Sequence, residues 1–360
     1  MPNELGVSPV IPFIDFAQDF SRHIVIDREP DQYLGHPTTV LLEDGLSMWI
    51  VYPKGHGKGS IVLKKSEDGG RTWSKRQPVP ESWASSQEVP TIYRIVDDFG
   101  RKRLFVFSGL YPIRSASSED DGLTWSELKP IGDFGGIVAM SDIMRLKDQS
   151  YMALFHDDGR FLKNSMIKSE QFVVYAVYSY DGGLTWGQPK EVVRDDVAHL
   201  CEPCILRSSD GNQLCIILRE NSRKYNSMVV FSDDEGKSWT KPRELPDVLT
   251  GDRHQALFLN DGRILISFRD MASNSPTWGD WVGWLGTYDD LVCGHVGQFK
   301  LRFMKNNKGS DCAYPALELL SDQTIFTATY GHWKVNEQPY ISGLHFTVDE
   351  VDYYTNEKGF

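Results

Sequence analysis

The chain has 360 residues, 40% hydrophobic and 12% aromatic, which is ample for a buried core. Its formal net charge of -12 argues against nucleic acid or an anionic membrane surface as a partner, so an anionic ligand needs a local basic cluster. No apolar run approaches the ~20 residues that span a bilayer, and the opening MPNELGVSPVIPF reads as no export signal. The compartment is therefore open: cytoplasmic, or periplasmic or secreted if a signal precedes this numbering. Five cysteines (201, 204, 215, 293 and 312) have neither a disulfide framework nor a complete zinc-site spacing, so they are expected to be reduced thiols.

Taken in chain order, residues 20–27 read as a strand ahead of the first repeat. A unit then begins at His36-Pro37 with an apolar run into the turn Asp44-Gly45, a second strand over 47–52 and a third over 60–65. The third leads into SEDGGRTW at 66–73, and the same pattern returns as SEDDGLTW at 118–125, SYDGGLTW at 179–186 and SDDEGKSW at 232–239. The shared form is Ser-x-Asp-x-Gly-x-Thr/Ser-Trp. Recurrence of this kind is the mark of a repeat architecture. In each box the Asp is expected to cap backbone N–H groups, the Gly to take a positive φ and the Trp to pack between strands, a structural role on the outer rim.

Further first strands begin near Val89, Met140, Glu202, Arg253 and Tyr314, and their second strands fall at 104–108, 151–156, 214–219, 264–269 and 324–330. All are rich in β-branched and aromatic residues, and no window holds a helical period. Six units of about four strands predict an all-β fold, a six-bladed β-propeller forming one domain over 1–360. The boxes lie in blades one to four, and the strand at 20–27 is expected to close the last blade.

In a propeller the first strands line the axis, and their entry ends converge on one mouth where a ligand is expected. The aligned entries are His36, Val89, Met140, Glu202, Arg253 and Tyr314, and the exits of the second strands add Tyr52, Ser108, His156, Arg219, Arg269 and Tyr330. Lys54, His56 and Asp157 extend those exits. Arginines, histidines, tyrosines and a glutamate at these positions point to chemistry at the mouth.

The boxes, the blade count and these positions resemble the sialidase (neuraminidase) superfamily, whose repeats are called Asp-boxes or BNR repeats, over roughly 33–345. The resemblance implies an exo-acting glycoside hydrolase with a Tyr nucleophile and a Glu base, because an anionic nucleophile would be repelled by a carboxylate on the anomeric carbon. Tyr314 in AYPAL matches the Tyr, and Glu202 in CEP matches the Glu. Arg219 in LCIILRE matches an arginine of the carboxylate clamp, with Arg253 or Arg269 as another. Two departures stand out in blade one. Gly35-His36-Pro37 replaces Arg-Ile-Pro, so Arg28 is a possible substitute for the leading arginine. The loop PKGHGKG at 53–59 lacks the acid/base Asp, for which His56 or Asp31 is expected, with Glu88, Asp157 and Asp158 behind them.

The expected substrate is a terminal, acidic sugar: a sialic acid, a related nonulosonate or ketodeoxy sugar, or a uronate. Arg28, His36, Lys54, Arg219, Arg253, Arg269, Asp157 and Tyr330 are the expected substrate-binding residues. No cofactor is expected, and the oligomeric state is open. PKGHGKG does not fit a phosphate-binding pattern, and the histidines at 36, 56, 156, 254 and 332 lack metal-ligand spacing. Trp278, Trp281 and Trp284 are expected to pack rather than to form a sugar platform. A uronate lyase using Tyr314 with a histidine, or a non-catalytic carbohydrate-binding propeller, are the alternatives.

Overall fold

The second strand of each blade is a continuous apolar run, because blades pack against both of its faces. Met48–Pro53 and Ile325–Gly331 are buried along their whole length. A computed structural model describes residues 11–162 and 171–358. Most of the opening stretch read for an export signal, residues 1–10, lies outside them. Six antiparallel sheets follow one another around a ring, each built outwards from an inner strand. The inner strands are Thr38–Leu41, Thr91–Val96, Ile137–Arg145, Leu200–Arg207, Gly251–Phe258 and Ala316–Leu319. The protein is a six-bladed β-propeller.

Two blades depart from four regular strands. Blade one has three regular strands, and its outer edge is an irregular segment whose Ser74 and Gln77 N–H groups donate to Lys65 and Leu63 carbonyls at 2.8 Å. Blade five gains a fifth strand, Phe13–Asp15, parallel to Phe299–Met304. In blade six the outer strand is N-terminal: Ile24–Asp27 pairs antiparallel with Tyr340–Phe346. Residues 20–22, read as part of that strand, form a turn of 3-10 helix.

Two helices were not legible as a period. Tyr288–Cys293 is six residues long and held by a capping box at Thr287 and Asp290. Val348–Lys358 follows the last strand and is fixed by Arg22 on Glu350 and Arg263 on Asp352. Both are too short for a periodicity to rise above the strand pattern. No helix among the described residues is long and apolar enough to cross a membrane.

The four boxes share the Ser and Asp hydrogen bonds, and the first three also share the tryptophan's bond to the turn glycine. In the first, Ser66 Oγ donates to Asp68 Oδ1 at 2.8 Å, while Thr72 N–H and Oγ1–H donate to the two oxygens of Asp68 at 2.9 and 2.6 Å. Trp73 Nε1 donates to the Gly70 carbonyl at 3.0 Å. Each box packs against the blade before its own. The glycine at the turn has φ +84 at Gly70 and +91 at Gly122, and a Cβ there would lie 2.7 Å from Phe326 of blade six or 2.5 Å from Trp49 of blade one.

At the opposite end, the strand entries share a backbone feature. His36, Val138, Glu202, Arg253 and Ala313 adopt φ between 48 and 56. In blades three, four and five the ladder register also slips there, between Ile137 and Asp142, Cys201 and Cys204, and Asp252 and Gln255. Such bulges re-aim side chains next to functional sites. Aligning the units on proline therefore misplaced two entries. By backbone conformation the counterpart of Glu202 is Ala313, one residue before Tyr314, and in blade three it is Val138 rather than Met140.

Candidate active site

Glu202 lies in its entry bulge at the centre of the mouth, 3% exposed, and its carboxylate contacts come from three other segments of the chain. Its Oε2 accepts the Arg253 N–H at 3.0 Å, and its Oε1 accepts Arg219 Nη1 at 2.8 Å. The same oxygen accepts the Tyr314 hydroxyl in a short hydrogen bond across the ring, and Arg219 Nη1 lies 3.4 Å from Tyr314 Oη. Behind them the Glu202 N–H donates to His156 Nδ1 at 3.4 Å. Burial holds His156 at a pKa of about 4, so that ring is a neutral acceptor.

The electrostatics of the pair are opposed. Burial works to raise the Glu202 carboxyl, but the Arg219 guanidinium outweighs it, and the group lies below the usual carboxylate range. Burial and then the Glu202 carboxylate push the Tyr314 phenol well above 10. At rest the arrangement is a neutral phenol hydrogen-bonded to an ionised carboxylate, with a guanidinium beside the oxygen that would carry charge after proton transfer.

The expected arginine clamp is tethered by a residue that sequence reasoning missed. Asp252, fully buried, accepts Arg269 Nε at 3.0 Å and Arg223 Nη2 at 2.7 Å, and its other oxygen lies 3.1 Å from Arg219 Nε and 2.6 Å from Arg223 Nη1. Arg219 completes its set on Asn221 at 2.6 Å, and Arg269 on the Ser310 carbonyl at 2.6 Å. The Arg269 guanidinium carbon sits 5.7 Å from the Tyr314 ring centre. Arg253 is different. Its side chain, 2% exposed, runs to the Ser141 carbonyl at 2.8 Å, so it meets Glu202 through its backbone.

A second network borders Tyr314 on the blade-one side. His36 packs edge-on to Tyr314 with ring centres 4.5 Å apart, and its other faces meet Tyr330 at 4.5 Å and His56 at 4.8 Å. Burial first, and His56 second, hold His36 well below the ordinary imidazole value. Asp311 joins the set: its Oδ1 accepts Tyr33 Oη at 2.8 Å and Tyr330 Oη at 3.2 Å, and its Oδ2 lies 3.4 Å from His332 Nε2. Burial would raise Asp311, but His56 and Tyr33 hold it well below the usual range.

The remaining expected residues lie outside this constellation. Arg28 makes a two-pronged pair with Glu337, with Nε at 2.8 Å, and stacks over Tyr340. Asp31 is exposed and lines a cleft with Lys308, His332 and Lys334. Lys54 lies 3.9 Å from Glu29. Asp157, 1% exposed, holds the N–H groups of Gly159 and Leu162 at 3.1 and 2.9 Å, which makes it a loop anchor. Among the described residues no three His, Cys, Asp or Glu side chains gather as a metal site. Asp252, Asp311, Tyr33 and Arg223 were each within a few residues of a position already singled out. The bulges decide which neighbour faces the mouth.

A family model described as BNR repeat-like domain matches residues 111–322. Among characterised proteins, the sialidase of Paraclostridium sordellii is 25% identical over 186 residues, 45% of either chain. The sialidase of Micromonospora viridifaciens is 27% identical over 221 residues, 53% of this chain and 33% of that one. The matches thus span less than half the length of either relative. Among solved structures, a protein of unknown function from Dyadobacter fermentans DSM 18053 superposes with TM-score 0.70 at 14% identity, covering 90% of this chain and 97% of that one. The intramolecular trans-sialidase of Ruminococcus gnavus, in complex with oseltamivir carboxylate, gives TM-score 0.60 at 14% identity over 89% and 96%. With more than half of its length matched by the family model, this chain belongs to the BNR repeat-like family of the sialidase superfamily.

Proposed function

We propose that the protein is an exo-acting glycoside hydrolase that removes a terminal acidic sugar: a sialic acid, a related nonulosonate or ketodeoxy sugar, or a uronate. The observation that carries this reading is the Tyr314 hydroxyl donating to the Glu202 carboxylate, with Arg219 on the same carboxylate oxygen. Glu202 takes the phenolic proton as Tyr314 Oη attacks the anomeric carbon, and Arg219 stabilises the phenolate. Water then releases the sugar from the tyrosine.

An acidic sugar fits the charge of the mouth. Arg219, Arg223 and Arg269 converge on Glu202 and Asp252 at the centre, three guanidinium groups on two carboxylates within a chain of net charge -12. The exposed faces of Arg223 and Arg219 are the groups we assign to the substrate carboxylate. Both relatives matched in sequence are sialidases.

A panel of aryl sialosides and aryl uronides, tested with wild type, Tyr314→Phe and Glu202→Gln, decides the matter. Hydrolysis by wild type is expected to fall by about 10³-fold or more in each variant. Wild-type turnover in both variants would sink the mechanism. An unsaturated, ultraviolet-absorbing product would make the enzyme a lyase, and a glycan bound but never cleaved would make it a binding propeller.

A further inference from the structure

Cleavage at Tyr314 requires a group that protonates the departing oxygen, and the loop 53–59 beside the site offers no carboxylate. Its exposed His56 is instead tied into the Asp311 network, and the donors and acceptors of that network fix its tautomer. Tyr33 Oη has one proton and gives it to Asp311 at 2.8 Å. Its contact with His56 Nδ1 at 2.7 Å must therefore be one in which Nδ1–H donates. That leaves Nε2 as the nitrogen open to a ligand.

The two other histidines of the network have no such nitrogen. His36 Nδ1 accepts the Gly57 N–H at 3.2 Å, so its proton is on Nε2, which contacts Tyr330 Oη at 3.3 Å. His332 uses Nδ1 on the Glu337 carbonyl at 3.2 Å and Nε2 on Asp311 at 3.4 Å. His36 also sets the geometry: its ring lies between Tyr314 and His56, edge-on to both. His56, exposed beside that buried ring, is thus one ring away from the nucleophile, on the blade-one side of Tyr314.

We propose that His56, oriented through Tyr33 by Asp311, is the acid/base residue of this enzyme. This rests on the reading of Tyr314 given above. In the first step the imidazolium form of His56, with Nδ1–H held by Tyr33, gives its Nε2 proton to the glycosidic oxygen as the C–O bond breaks and its electron pair leaves on that oxygen. The Tyr314 Oη–carbon bond forms, and the phenolic proton passes to Glu202. In the second step neutral Nε2 takes a proton from the attacking water, the water oxygen bonds the anomeric carbon, and Tyr314 leaves and regains its proton from Glu202. Water is the only co-reactant.

The ionisable groups around His56 are His36, Tyr33, Asp311, the loop lysines Lys54 and Lys58, and Glu88, whose carboxylate would lie 3.6 Å from a Cβ at Gly57. Glu88 is the rival acid, since burial raises its pKa to about 7.

The test compares two glycosides of whichever sugar the panel identifies, one with a dinitrophenyl and one with an alkyl leaving group. A good leaving group needs no proton. His56→Gln is expected to lose about 100-fold or more on the alkyl glycoside and less than about 10-fold on the dinitrophenyl one. His56→Gly regains alkyl turnover with added imidazole. Asp311→Asn shows the same leaving-group signature, weaker. Equal losses on both substrates, no loss on either, or the signature in Glu88→Gln instead would overturn the proposal. Tyr314→Phe loses both substrates, so a failure of the nucleophile is distinguishable from a failure of His56.

Discussion

Asp252 shows how one buried carboxylate can set the chemistry of its neighbours. With three guanidinium groups converging on it, burial is outweighed and the carboxyl is held far below the usual range. Through Arg219 Nε it also fixes the side chain that touches both Glu202 and Tyr314. Asp252→Asn removes the charge while keeping the shape. Breaking a buried ion pair from one side costs roughly 3–5 kcal/mol, and urea unfolding at neutral pH is expected to show a loss of this size. The same substitution frees donors on Arg223 and Arg269. Small carboxylates such as acetate should therefore inhibit any residual turnover more strongly than in wild type. A variant with unchanged stability and unchanged carboxylate inhibition would mean that Asp252 does not hold the arginines.

At the scale of the element, the Asp-box is a joint between blades rather than a decoration on one. Trp49 of blade one donates from Nε1 to the Asp121 carbonyl in the box of blade two at 2.8 Å, beside the turn glycine. Gly122→Ala puts a Cβ against the Trp49 ring at a positive φ, and the two effects together cost about 2–4 kcal/mol. Thermal unfolding should detect it, with turnover per folded molecule preserved because the box is at the other end of the blade. The joint also explains what could be read in advance. Ser, Asp, Gly and Trp at fixed spacing are each tied to a hydrogen bond or a packing contact, so the motif was visible in four units and set the period from which the strand pattern gave six blades. Tyr314, Glu202 and Arg219 were legible because they begin or end strands that such counting aligns. Asp252 was not, because a bulge turns it rather than its neighbour to the mouth and nothing in local composition marks the bulge, and Asp311 was not, because it lies ahead of the strand that the counting aligns. Two other residues expected at the site have partners of their own. Arg28 and Asp157 are of the right chemical type, but each is satisfied locally, by Glu337 and by loop N–H groups.

A closed ring concentrates its vulnerability at the seam where the chain ends meet, between blades six and one. Several contacts cross it: the first box against Phe326, His345 Nε2 on the Gly69 carbonyl at 2.7 Å, and Thr39 Oγ1 donating to Glu318 Oε1 at 2.6 Å. Glu318 is the odd member, an acid on the first strand of blade six whose pKa burial pushes up to about 7 from the ordinary 4.5. As pH rises from 4.5, the unfolded chain releases this proton while the folded chain keeps it. The contribution of this residue to stability therefore falls between pH 4.5 and about 7 and is level above that. A shift of this size corresponds to roughly 3 kcal/mol. Glu318→Gln cannot ionise and still offers an acceptor to Thr39. Urea unfolding should find the variant close to wild type near pH 4.5 and more stable by roughly 3 kcal/mol at pH 8. Parallel stability curves across that range would show that the seam does not hold a neutral acid. If the curves diverge as expected, closure of the ring is opposed by ionisation at this one residue of the seam.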